Sequence, residues 1–336
     1  MTQKPAQERS LALAIDVGGT NIKAAVITRQ GRLVAVQRRS TPAKSPPDLV
    51  VAQMVSVLRD LCAQSELEIS CLDGIGVSIA GFVTADGMVT ATAHLSQEFV
   101  GYNLYPQLYR ELPLEYYFSL DTPTPTLGEA YFGAGKGVDD FAYVTVSTGI
   151  GAGMMLNGRY YTGGLGWAGG VGHIIIDEKS ERICEGCGNR GCLETFAAKQ
   201  GIVTTALEMS ETYPDSLIFK LAQNQGENIT PKLVFEAARA GDLAAHEVFE
   251  RAGHALGLGL VSLADIVAPS RIIIGGGIAQ AGDLLLEPAR RVIRERAFPP
   301  RIRQVELVQA ALGDLSAVYG AAAMVFYDLR INSPIE

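Results

Sequence analysis

The chain has 336 residues, of which 48% are hydrophobic and 19% charged: enough apolar material for one large or two medium domains, and too little charge for a disordered chain. Its net charge of −8 argues against a general nucleic-acid or anionic-membrane binder, while leaving room for a local basic pocket that takes a phosphate. No uninterrupted apolar stretch is long enough to span a bilayer, and the apolar run at 11–15 is too short for a signal-peptide core, so a soluble cytoplasmic protein is expected.

The first half reads β-β-β-α-β. Strands are predicted at 11–17, 22–28 and 33–38, with Gly31 turning the second into the third. Leu49, Val50, Met54, Val57, Leu58 and Leu61 recur at helical spacing and predict a helix over 47–64, started by Pro46-Pro47-Asp48. A buried strand at 75–79 follows, then a short hairpin (82–83 into 88–89) turned by Asp86-Gly87, a helix over 104–112 and a strand at 114–120. The pattern then restarts. Strands at 141–146 and 153–156 form a hairpin, Asn157-Gly158 makes the next turn, and a glycine-rich loop over 163–172 leads to a strand at 173–176. Helices fill 193–268, the last running over about 243–267. A strand at 271–274, a helix, a strand at 304–308 and a final helix at 316–327 close the chain. Two similar halves of mixed strands and helices predict an α/β protein of two lobes. The expected division is 1–120, joined by the C-terminal helix at 316–330, and 121–315, with the junction near Asp121.

Two glycine turns of the same build open the two halves: Asp16-Val17-Gly18-Gly19-Thr20-Asn21 and Ser147-Thr148-Gly149-Ile150-Gly151-Ala152-Gly153. Such tips expose backbone N–H groups, a concave site for anionic oxygens. Gly18 and Gly19 let the backbone approach closely, Thr20, Asn21 and Thr148 can donate hydrogen bonds, Asp16 can hold magnesium through water, and Lys23 can reach a phosphate oxygen. Either turn alone reads better as an ordinary hairpin; the repeat, with polar residues at both tips, turns the reading toward a shared polyphosphate. Gly275-Gly276-Gly277 ends an apolar strand ahead of a helix, where a flat base can lie against bare backbone or where the chain simply turns. Gly164-Leu165-Gly166-Trp167-Ala168-Gly169 satisfies G-x-G-x-x-G but neither leaves a clear strand nor opens a helix, so it fails the dinucleotide context.

His173 is followed by Cys184, Cys187 and Cys192, four soft or borderline ligands within a short span that zinc takes tetrahedrally. The alternative is a reduced thiol cluster beside an unrelated histidine. With all four positions filled by protein, the predicted metal is structural.

These motifs together resemble the ROK family (repressor, open reading frame, kinase) of the actin-like ATPase and hexokinase superfamily, from about Leu11 to Tyr327. The carrying residues are 14–23, the second glycine turn, Gly172-His173, Cys187-Gly188-Asn189-Arg190-Gly191-Cys192-Leu193-Glu194 and Gly275-Gly276-Gly277. The resemblance implies a two-lobed actin-like (ribonuclease H-like) fold with a duplicated β-β-β-α-β-α core and a small zinc knuckle at 173–194. It implies a glucokinase-like phosphotransferase that uses ATP with Mg2+ on a sugar hydroxyl, and a homodimer. The phosphate and nucleotide would be held by Asp16, Gly18, Gly19, Thr20, Asn21, Lys23, Thr148, Gly149, Gly151, Gly275, Gly276 and Gly277. The sugar would meet Gly81, Asn103, Asp121, His173 and Glu194. Zinc would be bound by His173, Cys184, Cys187 and Cys192. Asp121, ahead of Leu127-Gly128-Glu129-Ala130, matches the family's catalytic base; on its own it would read as a helix N-cap before Thr122-Pro123.

Three departures from the family's pattern occur, two of them on the sugar side and one in the knuckle that zinc can accommodate. The family's usual Asn-Asp-x-Asn is Leu120-Asp121-Thr122-Pro123 here, the usual Glu two residues before Gly-His is Gly170, and the knuckle is C-x2-C in place of C-x-C. A pocket that loses a partner for a substrate hydroxyl loses discrimination. The leading expectation is a kinase for a hexose, an N-acetylhexosamine or a related polyol. A non-catalytic sugar or nucleotide sensor is the second, and polyphosphate in place of ATP stays open as donor. A repressor is disfavoured, since only ten polar residues precede Leu11.

Overall fold

The computed structural model describes residues 10–92, 94–226 and 228–331; the polar start at 1–9 lies outside them. The chain forms two compact units. Of the described residues, one holds those up to Asp139, Gly158–Trp167 and those from Ala310 on; the other holds those of Asp140–Asn157 and Ala168–Gln309. The chain changes unit at Asp139–Asp140, beyond the junction expected near Asp121, because the helix that follows Asp121 packs inside the first unit.

In chain order the first unit begins with β1 (Leu11–Val17), β2 (Asn21–Thr28), β3 (Leu33–Ser40), α1 (Pro47–Gln64), β4 (Gly74–Ile79), β5 (Phe82–Val83), β6 (Val89–Ala91), α2 (Leu104–Glu111), β7 (Tyr116–Leu120) and α3 (Pro123–Phe132). Its main sheet has the order β3-β2-β1-β4-β7. β1 is antiparallel to β2 and parallel to β4, and β4 is parallel to β7. Strands paired this way are covered on both faces, which is why β1 and β4 read as continuous apolar runs with almost every side chain buried. One cover is α1, whose Val50, Met54, Val57, Leu58 and Leu61 form the buried stripe.

The second unit contributes β8 (Phe141–Val146), β9 (Ile150–Leu156), α4 (Glu194–Ala197), α5 (Lys199–Glu208), α6 (Leu217–Gln225), α7 (Pro231–Arg239), α8 (Leu243–Val267), β10 (Arg271–Gly275), α9 (Asp283–Arg296) and β11 (Glu306–Gln309). Four of its strands run in the order β9-β8-β10-β11, with β8 antiparallel to β9 and parallel to β10, and β10 parallel to β11. This repeats the plan of β2-β1-β4-β7. The core packs Val144, Ile272 and Ile274 of the sheet with Phe249, Leu256 and Leu260 of α8.

The chain then returns to the first unit as α10 (Ser316–Tyr327), which is buried along most of its length. Three glycines let it seat closely. A Cβ at Gly320 would lie 1.6 Å from the Thr124 carbonyl of α3, one at Gly128 would lie 2.0 Å from the Ser316 carbonyl, and one at Gly76 would lie 1.9 Å from the Ala321 carbonyl. Among the described residues, no helix is long and apolar enough to cross a membrane.

Two expectations need correction. The strand expected at 173–176 is absent: Val171–His173 is a single 3-10 turn, and Ile175 makes only an isolated bridge to Cys192, since this stretch wraps the cysteine loop and does not join the sheet. The second glycine turn is shorter than its motif. Val146 already pairs with Ile150 and Thr145 with Gly151, so only Ser147, Thr148 and Gly149 form the tip and Gly151 lies within β9.

Candidate active site

The first glycine turn closes by hydrogen bonds from the Gly18 N–H to the Asn21 carbonyl (3.0 Å) and from Thr41 Oγ1 to the Gly18 carbonyl (2.7 Å). Thr20 and Asn21 are exposed at its tip. Gly19 can bear no side chain, because a Cβ there would lie 2.9 Å from that of His94. Asp16 sits at the end of β1, where the parallel partner Ser78 donates to its Oδ1 (2.8 Å); Ser78 in turn shares a 2.9 Å hydrogen bond with Thr124 Oγ1. Burial raises the Asp16 pKa, with Lys23 across the hairpin pulling it back. Lys23 is engaged by Asp314: its Nζ donates to the Asp314 carbonyl (2.9 Å) and lies 3.9 Å from the carboxylate. Ser78, Thr41, His94 and Asp314 carry no sequence signal for these roles, because each reaches the turn from a distant segment.

Asp121 follows β7 directly. The cap position of α3 is Thr122, and no side chain caps that helix, so the N-cap reading of Asp121 does not describe this structure. Its carboxyl reaches solvent yet stands amid dense protein, and that desolvation pushes its pKa up to about 6; the Asp16 carboxylate adds to the rise and His94 opposes it. Asp121 is therefore ionised at neutral pH but only modestly above its titration point, as a proton acceptor should be. In the same unit, Gly81 follows β4, where a Cβ would lie 2.8 Å from the Ala91 carbonyl. Asn103 caps α2, its Oδ1 accepting from the Tyr105 N–H at 2.9 Å.

In the second unit, Ser147, Thr148 and Gly149 lie beside the Gly275-Gly276-Gly277 run, since β10 pairs with β8 up to Gly275–Thr145. Gly276 has φ +89°, and a Cβ there would lie 2.4 Å from the Val146 carbonyl, so the strand exits with no side chain in the way. A cavity of about 320 Å³ opens from this point, lined by Thr148, Lys199, Pro231, Phe235, Gly277 and Gln280 among others. Its size, apolar wall and lysines suit a flat base with a phosphate tail. Lys199, Pro231 and Phe235 come from α5 and α7, and no sequence motif marks them.

His173, Cys184, Cys187 and Cys192 offer one ligand atom each within 4.8 Å of one another. Cys184 Sγ lies 3.5 Å from His173 Nδ1, and Cys187 Sγ lies 3.6 Å from Cys192 Sγ. A tetrahedral zinc sphere has edges of about 3.5–3.8 Å, so the donor set fits the ion in chemistry and in size. Gly188 and Gly191, at φ +75° and +70°, turn the loop. Burial pushes the Cys184 thiol up to about 12, while the backbone N–H of Asn189 holds Cys187 below the usual thiol value. Arg182 clamps the loop to the helices: it donates to the Thr195 carbonyl (3.1 Å), Thr205 Oγ1 (3.1 Å) and Glu208 (2.7 and 2.8 Å), and lies 4.9 Å over the Phe196 ring.

Glu194 connects this loop to the glycine turn. Its Oε1 accepts from the Cys184 thiol (2.8 Å), and its Oε2 lies 3.4 Å from the Ile150 N–H that follows Gly149. Gly170, by contrast, is exposed, and a Cβ there would have no heavy atom within 4 Å.

The ROK family model matches residues 12–327. The chain belongs to the ROK family. It is 32% identical to a glucokinase of Halalkalibacterium halodurans over 314 residues, 93% of this chain and 94% of that protein. A ROK family glucokinase from Streptomyces griseus, solved in complex with glucose and AMPPNP, superposes with a TM-score of 0.78 at 28% identity, covering 94% of this chain and 98% of that one. The family also holds regulators: the xylose repressor of Caldicellulosiruptor bescii is 29% identical over 76% of this chain and 63% of its own length. This ROK chain thus has the α/β actin-like ATPase fold, with a Cys/His cluster that can hold zinc.

Proposed function

We propose that the protein is an ATP-dependent sugar kinase that transfers the γ-phosphoryl group to a hydroxyl of a hexose or N-acetylhexosamine. The observation that carries the reading is Asp121, a carboxylate whose surroundings raise its pKa to about 6. As the acceptor oxygen attacks the γ-phosphorus, Asp121 takes its proton, and the bond to the β-phosphate oxygen breaks to release ADP. Asp16 would hold Mg2+ through water, supplying charge neutralisation for the phosphates; the N–H groups and hydroxyls of Gly18, Gly19, Thr20, Asn21, Thr148 and Gly149 would bind phosphate oxygens. The cavity beside Gly277 would take the adenine. Zinc on His173, Cys184, Cys187 and Cys192 would fix the loop that presents His173 and Glu194 to the sugar. The glucose and AMPPNP bound by the Streptomyces griseus enzyme support ATP and a hexose.

The open space at Gly170 and the presence of Leu120 and Pro123, not amide residues, on either side of Asp121-Thr122 favour a second reading, a sugar or nucleotide sensor without turnover. An ADP-release screen over aldohexoses, N-acetylhexosamines, ketoses and inositols, with ATP and with polyphosphate as donor, separates the two. ADP formed with one class of sugar supports the kinase. Calorimetric binding of sugar or nucleotide with no ADP from any acceptor supports the sensor.

A further inference from the structure

Glu129, the fourth residue from the C-terminal end of α3, is fully buried and places a carboxylate among the packed residues of α3 and α10. Four donors converge on it. The Ala134 and Ala311 N–H groups donate to Oε2 (2.7 and 3.1 Å), and the Leu312 N–H and Ser316 Oγ donate to Oε1 (3.0 and 2.8 Å). Gly133 leaves room for it, since a Cβ there would lie 2.1 Å from Oε2. Both oxygens are thus used, and three of the four donors come from one short segment, 311–316, far away in sequence. A buried charge is costly unless it is held this way, so the segment and the carboxylate fix each other.

That segment carries Asp314. Its carbonyl accepts from Lys23, its carboxylate takes Arg38 at 3.0 Å, and its charge reaches Asp16, whose pKa it helps to raise. We propose that Glu129 is a positioning residue for the first glycine turn: by pinning 311–316 it sets Asp314 beside Lys23 and Asp16, and so sets the negative charge available there to a magnesium–nucleotide complex. This rests on the kinase reading above. Glu129 touches no reacting atom; it acts through Asp314.

Two variants test it on the full-length protein, with magnesium-dependent ATP binding read by calorimetry and magnesium activation read by turnover. Asp314→Asn keeps the carbonyl that holds Lys23 and loses only the charge, at a half-exposed position where folding is not at stake. Glu129→Gln places an NH2 against N–H donors and frees the segment. Each is expected to weaken magnesium-dependent ATP binding about fivefold while the sugar KM moves less than about twofold, and the double variant should fall no lower than the weaker single, because both act through one carboxylate. An unchanged magnesium dependence in Asp314→Asn overturns the inference, and so does a Glu129→Gln protein that only melts lower. Should Glu129→Gln fail to fold, Ser316→Ala, which removes the hydroxyl that donates to Glu129 Oε1, takes its place with the same expected and overturning results. Wild-type protein that does not bind Mg·ATP removes the kinase reading and this inference together; wild-type binding with unaltered variants removes this inference only.

Discussion

A general base works only when unprotonated, so if Asp121 has the proposed role, the desolvation that lifts it to about 6 sets where activity should begin to fall. The expected kcat/KM profile has an acid limb near pH 6, and Asp121→Asn should lower kcat about 10²- to 10⁴-fold while leaving nucleotide affinity nearly unchanged. A variant with full activity removes Asp121 as the base. The same shift has a stability consequence. A carboxyl whose folded pKa lies above its unfolded value favours folding in its protonated form, fully below the unfolded value and no longer once pH rises through about 6. Asp121→Asn should therefore melt higher than wild type at pH 8, and by a smaller margin at pH 4. At Gly170 the prediction runs the other way. The backbone there is at φ −70°, with open space where a side chain would go, so Gly170→Glu should fold normally. If the sugar reaches this point, the added carboxylate should shift the ratio of kcat/KM values between acceptor sugars; unchanged ratios would place the sugar elsewhere. What was legible at this scale was whatever is local in sequence: the glycines of each tip, the cysteine spacing, and Asp121 ahead of its helix. Ser78, Thr124 and Asp314 were not, because a serine on a strand or an aspartate in a turn declares nothing until the fold sets it beside Asp16 or Lys23.

Elements with a strong period were legible to their ends. The stripe along α1, the long apolar α8 and the small-residue run of α10 fall where spacing and composition put them. The failures lie at 173–176 and at Gly151. Apolar residues at 174–176 look like a strand, but they follow the cysteine loop, whose ligands and Arg182 decide the path. At Gly151 the sheet register continues through the glycines, which a motif alone hides. The loop gives the prediction proper to this scale. Zinc should be present at one per chain in protein purified without chelator, and its removal should lower the melting temperature and weaken sugar binding more than nucleotide binding, since the loop carries His173 and Glu194. Arg182→Ala, which removes hydrogen bonds to α4 and α5 and the stacking on Phe196, should destabilise by about 1–2 kcal/mol without loss of zinc. Elemental analysis and thermal melts of the same samples decide both.

Across the whole chain, the repetition of one plan in two halves was legible because each copy starts with the same hairpin and glycine tip, while the strand order β2-β1-β4-β7 and β9-β8-β10-β11 emerged only in the fold. The unit boundary was not. It depends on α3 packing against α10, and that contact rests on Gly128 and Gly320, whose missing side chains leave no apolar pattern to read. Each unit has its own core, one around β1, β4 and α1, the other around β8, β10 and α8. A chain with two cores need not melt as one body. Calorimetry should resolve two transitions, and two perturbations should assign them. Zinc removal acts on His173 and the cysteines, so it should lower one transition. Gly320→Ala places a methyl 1.6 Å from the Thr124 carbonyl, where backbone faces backbone and no rotamer can yield, so it should lower the other by about 1–3 kcal/mol. If both perturbations move a single transition together, the units unfold as one cooperative body, and the coupling between them exceeds the stability of either core.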